Sequence, residues 1–291
     1  MRTVRGIGCV LGFLLVTLAV MPVQWLALRF DWKAKDSIPI WYHRLVCRLI
    51  GIRIETFGKP VQDRGVFLAA NHTSYLDIPI LSAVIPVCFV AKSEVGEWPL
   101  FGTLARLART VFVERERRSR TGEQRDKIRE RLAEGGTIVL FPEGTSSDGN
   151  RVLEFKSALL SAADGMVRSK DGAERRIIVQ PVSVAYTRLH GMPMGRELRP
   201  FFAWYGDMDL VPHLWEAFQM GPIDVVVHYH PPMTVDQFGG SRKALAIECQ
   251  RLVSEGVAHA LAGRPGAVGP AYENEPFDPP AFDPETSPAA A

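Results

Sequence analysis

Val66-Phe67-Leu68-Ala69-Ala70-Asn71-His72-Thr73-Ser74-Tyr75-Leu76-Asp77 is the stretch on which the reading of this chain turns. Its first five residues are all apolar and do not alternate with polar ones. That pattern predicts a strand buried on both faces, as in a sheet covered by helices. Similar short runs recur at Val87–Ala91, Thr110–Val113, Thr137–Phe141, Ile177–Tyr186 and Ile223–Tyr229. Helical patterns fall between and after them, at Ile78–Val84, Trp98–Leu107, Ser119–Ala133, Phe155–Val167, Val211–Phe218 and Ser241–Leu261. Strand–helix alternation predicts an α/β fold with a largely parallel sheet flanked by helices.

Asn71 to Asp77 then falls where the strand ends, and strand ends are where active sites collect in open α/β sheets. A His and an Asp five residues apart across such a turn lie within hydrogen-bond reach. The Asp would fix one ring nitrogen and leave the other as a base. The same spacing also suits a plain hydrogen bond at a helix entry. No Gly-x-Ser-x-Gly elbow occurs, which disfavours an α/β-hydrolase. A His–Asp pair without a protein nucleophile suggests that the substrate brings its own, such as an alcohol attacking an ester or thioester.

A second candidate stretch, Phe141-Pro142-Glu143-Gly144-Thr145, also follows a strand pattern. Gly144 and Thr145 could offer backbone amides to an oxyanion or phosphate, and Glu143 could order the loop or bind acceptor hydroxyls. Proline and glycine equally make an ordinary turn. A phosphate-binding P-loop is discounted, because Asn150 and Arg151 follow Gly149 in place of Lys and Ser/Thr.

Taken in order, these two stretches and three others resemble the glycerolipid acyltransferase family of the PlsC type. The others are Phe89-Val90-Ala91-Lys92-Ser93-Glu94 with Trp98-Pro99-Leu100-Phe101-Gly102, Val111-Phe112-Val113-Glu114-Arg115, and Val179-Gln180-Pro181-Val182. The resemblance implies that His72 is the general base and Asp77 its partner. It implies transfer of an acyl group from acyl-CoA or acyl carrier protein to a lysolipid hydroxyl, with no acyl-enzyme, metal or cofactor. Arg115, with Lys92, would hold an acceptor phosphate, since a guanidinium pairs well with phosphate oxygens. The acceptor expected first is 1-acyl-sn-glycerol 3-phosphate, giving phosphatidic acid. One departure points elsewhere. The family's Phe-Pro-Glu-Gly-Thr is usually followed by arginine, and here Ser146 and Ser147 follow. That weakens the case for a phosphate headgroup, and the resemblance to members that acylate other lysolipids implies lyso-ornithine lipid as the alternative acceptor, with Arg151 a candidate replacement cation. An alternative of another class is a non-catalytic membrane-binding module, which gives no reason for His72, Asp77 and Glu143 at strand ends.

The ends of the chain concern the membrane and solvent. Gly6 to Leu28 carries no charged residue and is about as long as the ~20 residues that span a bilayer core. Pro22 and Gln24 interrupt it, and basic residues flank both sides. A cleaved signal peptide, a span and a segment dipping into one leaflet all fit. Ile38 to Ile52 is amphipathic, with Arg44 and Arg48 placed for headgroups. The expectation is a two-helix anchor over residues 1–52, an α/β domain over 53–261 and a disordered, proline-rich acidic tail over 262–291. The site would face the cytoplasm at the cell inner membrane.

The 291 residues are 47% apolar and 23% charged, as in a folded globular chain, and the net charge of +2 argues no partner. The mixed charges of Glu114–Arg131 suit a solvated helix face better than nucleic-acid binding. Cys9, Cys47, Cys88 and Cys249 have no metal-site or disulfide spacing. His228 and His230 lack a third ligand and read as packing or surface residues.

Overall fold

The computed structural model describes residues 2–61, 65–113, 121–168, 172 and 174–267. Its strands are Ile52–Phe57 (β1), Val66–Ala70 (β2), Cys88–Lys92 (β3), Val111–Val113 (β4), Thr137–Leu140 (β5), Met166–Arg168 (β6), Glu174–Arg176 (β7), Ile178–Leu189 (β8), Met192–Pro193 (β9) and Ile223–Tyr229 (β10). Its α-helices are Arg2–Arg29 (α1), Ser37–Ile50 (α2), Asp77–Val84 (α3), Phe101–Leu107 (α4), Thr121–Ala133 (α5), Leu210–Met220 (α6) and Arg242–Leu261 (α7).

The main sheet runs β1-β10-β8-β2-β5-β3-β4, with β9 paired to β8. β8, β2, β5, β3 and β4 are parallel neighbours. β10 is antiparallel to β8, and β1 runs parallel to β10. The sheet is thus largely parallel, as the apolar runs predict. β2 lies in its middle and is buried at every position. One apolar layer sits between the sheet and the N-terminal helices, uniting Cys9, Tyr42 and Val46 with Leu68, Val139 and Val182. The other joins Phe67, Ile138 and Val179 to Leu245, Cys249 and Val253 of α7.

The two N-terminal helices pack against this domain. α1 runs unbroken through Pro22. Small residues let it approach closely: a Cβ on Gly6 would come within 3.0 Å of the Trp215 ring, and one on Gly12 within 2.9 Å of Leu49. Gln24, polar in an apolar run, is buried because its Nε2 donates to Lys35 O at 3.0 Å and Leu107 O at 3.2 Å. α2 ends at Gly51, whose φ of 91° suits glycine.

One expected helix is absent. Phe155–Val167 has helical spacing, yet it holds a 3-10 turn at Leu159–Ala163 and then β6, which pairs with β7. Its first amides are tied outward. Phe155 N donates to Gln250 Oε1 at 3.2 Å and Lys156 N to Pro142 O at 2.9 Å. The apolar spacing instead buries Phe155, Leu160, Ala163 and Val167. Residues 119 and 120 of the expected fifth helix, and 268–291 of the expected tail, lie outside the described residues.

Candidate active site

Three parallel strands, β2, β5 and β3, deliver their C-terminal ends to one edge of the sheet. Asn71 terminates β2 by replacing backbone with side chain. Its Nδ2 donates to Val184 O at 2.9 Å, and its Oδ1 accepts from Val184 N at 2.8 Å. The chain is thereby freed from the ladder and turns at His72 into α3.

Asp77 opens α3 and is fully buried. Its Oδ2 accepts from His72 Nδ1 at 2.9 Å, Thr73 N at 2.8 Å and Ser74 N at 3.0 Å. Its Oδ1 accepts from Tyr186 OH at 2.8 Å. An acceptor already engaged by two backbone N–H groups requires His72 Nδ1 to carry its hydrogen. Nε2 is then the free, basic nitrogen. The imidazole is 19% exposed, so it is open to a substrate.

The loop after β5 clamps His72 from the other side. Glu143 Oε1 accepts from His72 N at 3.0 Å, and Ser147 N donates to His72 O at 2.8 Å. Phe141 stacks on the imidazole, with centroids 4.0 Å apart and planes 14° apart. Burial pushes the Glu143 carboxyl up to about 8. Backbone N–H groups of His72 and Leu153 oppose that rise, and the Asp77 charge adds to it. Glu143 therefore sits beside Asp77 mainly as the neutral acid at pH 7.

This shift makes a stability prediction. Between pH 4.5 and about 8 the folded state holds a proton at Glu143 that the unfolded chain releases. Stability contributed by the neutral acid is therefore present below that window and lost as pH rises through it. Glu143→Gln keeps the acceptor for His72 N and cannot ionise. Going from pH 5 to pH 9, wild type should lose roughly 3 kcal/mol relative to the variant, by order of magnitude. Thermal melts in detergent at both pH values check this, and parallel pH dependences would contradict it.

His72, Asp77 and Glu143 thus come together as one constellation. Gly144 adjoins them with a φ of 73°, which only glycine adopts freely. Its N–H donates to Phe141 O at 3.0 Å, so the turn consumes the amide that was a candidate oxyanion donor. Thr145 is exposed, and Lys92 is exposed at the C-terminal end of β3, two strands from β2. Arg115 lies outside the described residues. Arg151, the candidate replacement cation, is exposed. His228 and His230 are buried and stacked, with centroids 4.3 Å apart, and His230 Nε2 meets Ser183 Oγ at 2.7 Å.

Sequence reasoning missed two residues. Tyr186, on β8, holds the second oxygen of Asp77, but in the sequence it only ends an apolar run. Arg199 reaches the loop after Thr145 from a distant turn, and its position in the sequence carries no signal.

An apolar cavity of about 210 Å³ lies on the Tyr75–Leu76 side of α3. Phe13, Tyr42, Tyr75, Phe89, Trp98 and Phe218 help to line it, so α1, α2 and α6 all contribute walls. Phe89 links it to the site, because it stacks 6.2 Å from Phe141, which covers His72.

Residues 53–185 match the family model described as Acyltransferase. A protein named lyso-ornithine lipid O-acyltransferase from Brucella abortus is 47% identical, over 90% of this chain and 97% of its own. One of the same name from Rhizobium meliloti is 43% identical, over 90% of this chain and 87% of its own. A 1-acyl-sn-glycerol-3-phosphate acyltransferase from Neisseria gonorrhoeae is 34% identical, over 62% of this chain and 64% of its own. The crystal structure of the 1-acyl-sn-glycerophosphate acyltransferase PlsC from Thermotoga maritima shares the fold, with a TM-score of 0.57 and 24% identity over 90% of this chain and 98% of that one. With motif order, fold and full-length relatives in agreement, this chain belongs to the PlsC-type acyltransferase family and is an acyl-transferring enzyme.

Proposed function

We propose that this enzyme acylates the free hydroxyl of lyso-ornithine lipid, with acyl-CoA or acyl carrier protein as donor. Two observations favour ornithine over phosphate. Relatives bearing that name are 47% and 43% identical across nine-tenths of the chain. Ser146 also stands where the family's motif usually continues with arginine, which weakens the case for a phosphate headgroup. The order of the two acceptors read from the motifs is thus reversed, with lysophosphatidic acid second.

The observation that carries the chemistry is His72, held by a buried and fully hydrogen-bonded Asp77. His72 Nε2 takes the proton of the acceptor hydroxyl as its oxygen attacks the thioester carbonyl. Asp77 stabilises the imidazolium that forms. The tetrahedral adduct collapses, the C–S bond breaks, and the leaving thiolate takes the proton from His72. The products are an ester and a free thiol. The imidazole is then neutral again.

On this reading the apolar cavity takes the donor's acyl chain, because its walls are mainly aromatic and aliphatic and one of them, Phe89, stacks on the Phe141 that covers His72. Ala105→Phe, in the part walled by α4, should shift preference towards shorter donors by about tenfold in kcat/KM, the worth of one or two methylenes. Rates across acyl-CoA donors of increasing length check this. An unchanged length profile would remove the cavity from the acyl site.

The enzyme associates with membranes, and α1 offers the means. Leu11, Leu15, Leu18 and Trp25 are exposed on α1, and Trp41 on α2. The other side of α1 is docked on the domain from Gly6 to Gln24. A helix held along its length suits lying in one leaflet better than crossing alone. In this reading the site faces the cytoplasm at the inner membrane.

The acceptor assignment is tested with purified enzyme in detergent, supplied with labelled acyl-CoA and equal amounts of lyso-ornithine lipid and lysophosphatidic acid. Label is expected in ornithine lipid at least about tenfold faster. Preferential label in phosphatidic acid would overturn it.

A further inference from the structure

The resemblance leads one to expect a cation directly after Thr145, where Ser146 stands. The fold brings one from elsewhere. Arg199 opens a 3-10 turn, Arg199–Phe201. Its Nη1 donates to Asn150 Oδ1 at 3.0 Å and its Nε to Met194 O at 3.2 Å. Asn150 is itself fixed. Its N donates to Asp148 Oδ1 at 3.0 Å, and its Nδ2 to Asp148 Oδ2 at 3.3 Å and Arg196 O at 3.1 Å.

This loop is bound directly to the dyad's backbone. Ser147 N donates to His72 O at 2.8 Å, and Gly149 N donates to Ser147 Oγ at 3.3 Å. A Cβ on Gly149 would come within 3.1 Å of Thr73 Cγ2 and 3.7 Å of Arg199 Cβ. Arg199 and Asp148 therefore both engage Asn150, on the loop whose Ser147 is hydrogen-bonded to the His72 backbone. Among the described residues neither forms an ion pair; burial and the like charge of Arg196 disfavour the Arg199 guanidinium, and Asp148 favours it to a smaller degree. Asn150 lies between them and engages both. Two opposite charges are thus held on either side of Asn150 without pairing, on a loop bonded to the His72 backbone.

We propose that Arg199 and Asp148 form the acceptor headgroup subsite, with Arg199 taking the carboxylate of an N-acylated ornithine and Asp148 facing its side-chain ammonium. The proposal rests on the lyso-ornithine reading above. A guanidinium with free N–H groups suits a carboxylate. Asp148 beside it adds discrimination, since a phosphomonoester dianion would meet a like charge. The proposal does not draw on Lys92 or Arg115, the cations that the motifs suggest.

The test uses the full chain in detergent with acyl-CoA and three acceptors: lyso-ornithine lipid, its decarboxylated counterpart and lysophosphatidic acid. In Arg199→Ala the ratio of kcat/KM for lyso-ornithine lipid to that for the decarboxylated counterpart should fall about 10- to 100-fold, the worth of charge-assisted hydrogen bonds. Arg199→Lys should recover part of that ratio, because it keeps the charge and loses the fork. In Asp148→Asn the ratio for lyso-ornithine lipid over lysophosphatidic acid should fall about tenfold. Ratios within one variant are insensitive to how much of it is folded. Either ratio left unmoved overturns the subsite, including the case in which both rates fall together. Wild type that acylates lysophosphatidic acid and not lyso-ornithine lipid overturns the ornithine reading itself, and the subsite with it, before any variant is made.

Discussion

His72→Ala is expected to lower kcat for acyl transfer by about 10²- to 10⁴-fold, the usual worth of a positioned general base. The fold should survive the change. The imidazole makes one side-chain hydrogen bond, to Asp77, and one stacking contact, to Phe141. After its removal Asp77 still accepts from Thr73 N, Ser74 N and Tyr186 OH, so no buried charge is left bare. The backbone of residue 72 is held independently by Glu143 and Ser147. Initial rates at saturating acceptor, with thermal melts on the same preparation, separate loss of chemistry from loss of fold. A variant that keeps wild-type kcat would remove His72 from the mechanism.

Asp77→Asn should cost nearly as much activity and far more stability. Asn has one acceptor oxygen and two N–H donors where Asp77 has two acceptor oxygens. Four donors converge on that carboxylate: His72 Nδ1–H, two backbone amides and the Tyr186 hydroxyl. An amide there loses the negative charge that all four point at, and its NH2 meets either the Tyr186 hydroxyl or the imidazole, donor to donor unless that partner turns to accept. An unsatisfied buried donor costs about 1–3 kcal/mol, so a total loss of roughly 2–5 kcal/mol is expected. For those molecules that stay folded, the amide no longer fixes the hydrogen on Nδ1. Nε2 then carries it part of the time and cannot act as a base, and kcat should fall about 10²- to 10³-fold. The two effects are read separately, by melting temperature and by rate per folded protein. If stability falls and the rate per folded molecule does not, Asp77 is a helix-entry hydrogen bond and nothing more.

That last possibility was open in the sequence, and the way it narrows shows what sequence patterning can carry. β2 and β10 are legible to the residue because strands covered on both faces leave continuous apolar runs with sharp ends. The dyad is legible because its partners are local, five residues apart across one strand end. Glu143 is legible because the strand before it is equally plain. What the sequence hides depends on contacts between distant segments. Tyr186 and Arg199 meet the site only through the ordering of β8 beside β2 and the path of the chain after β9. β1 escaped because it is an edge strand of mixed burial following directly on α2. The expected helix at Phe155–Val167 fails because its end is drawn into β6, where Met166 and Val167 pair with Arg176 and Arg175, a pairing that its own apolar spacing does not reveal. Ser146, a departure from the motif, weakens the case for phosphate and so supports the proposed acceptor, whereas the motif itself points towards phosphate.

The most direct test of the central claim is chemical rescue. Purified wild type and His72→Ala are given labelled acyl-CoA and lyso-ornithine lipid, with and without imidazole. The partly exposed position of His72 leaves room for the small base beside Asp77 in the variant. The account predicts labelled ornithine lipid from wild type regardless of imidazole. It predicts almost none from His72→Ala alone, and partial, saturable recovery when imidazole is added. Ornithine lipid formed by His72→Ala at the wild-type rate without imidazole would contradict it.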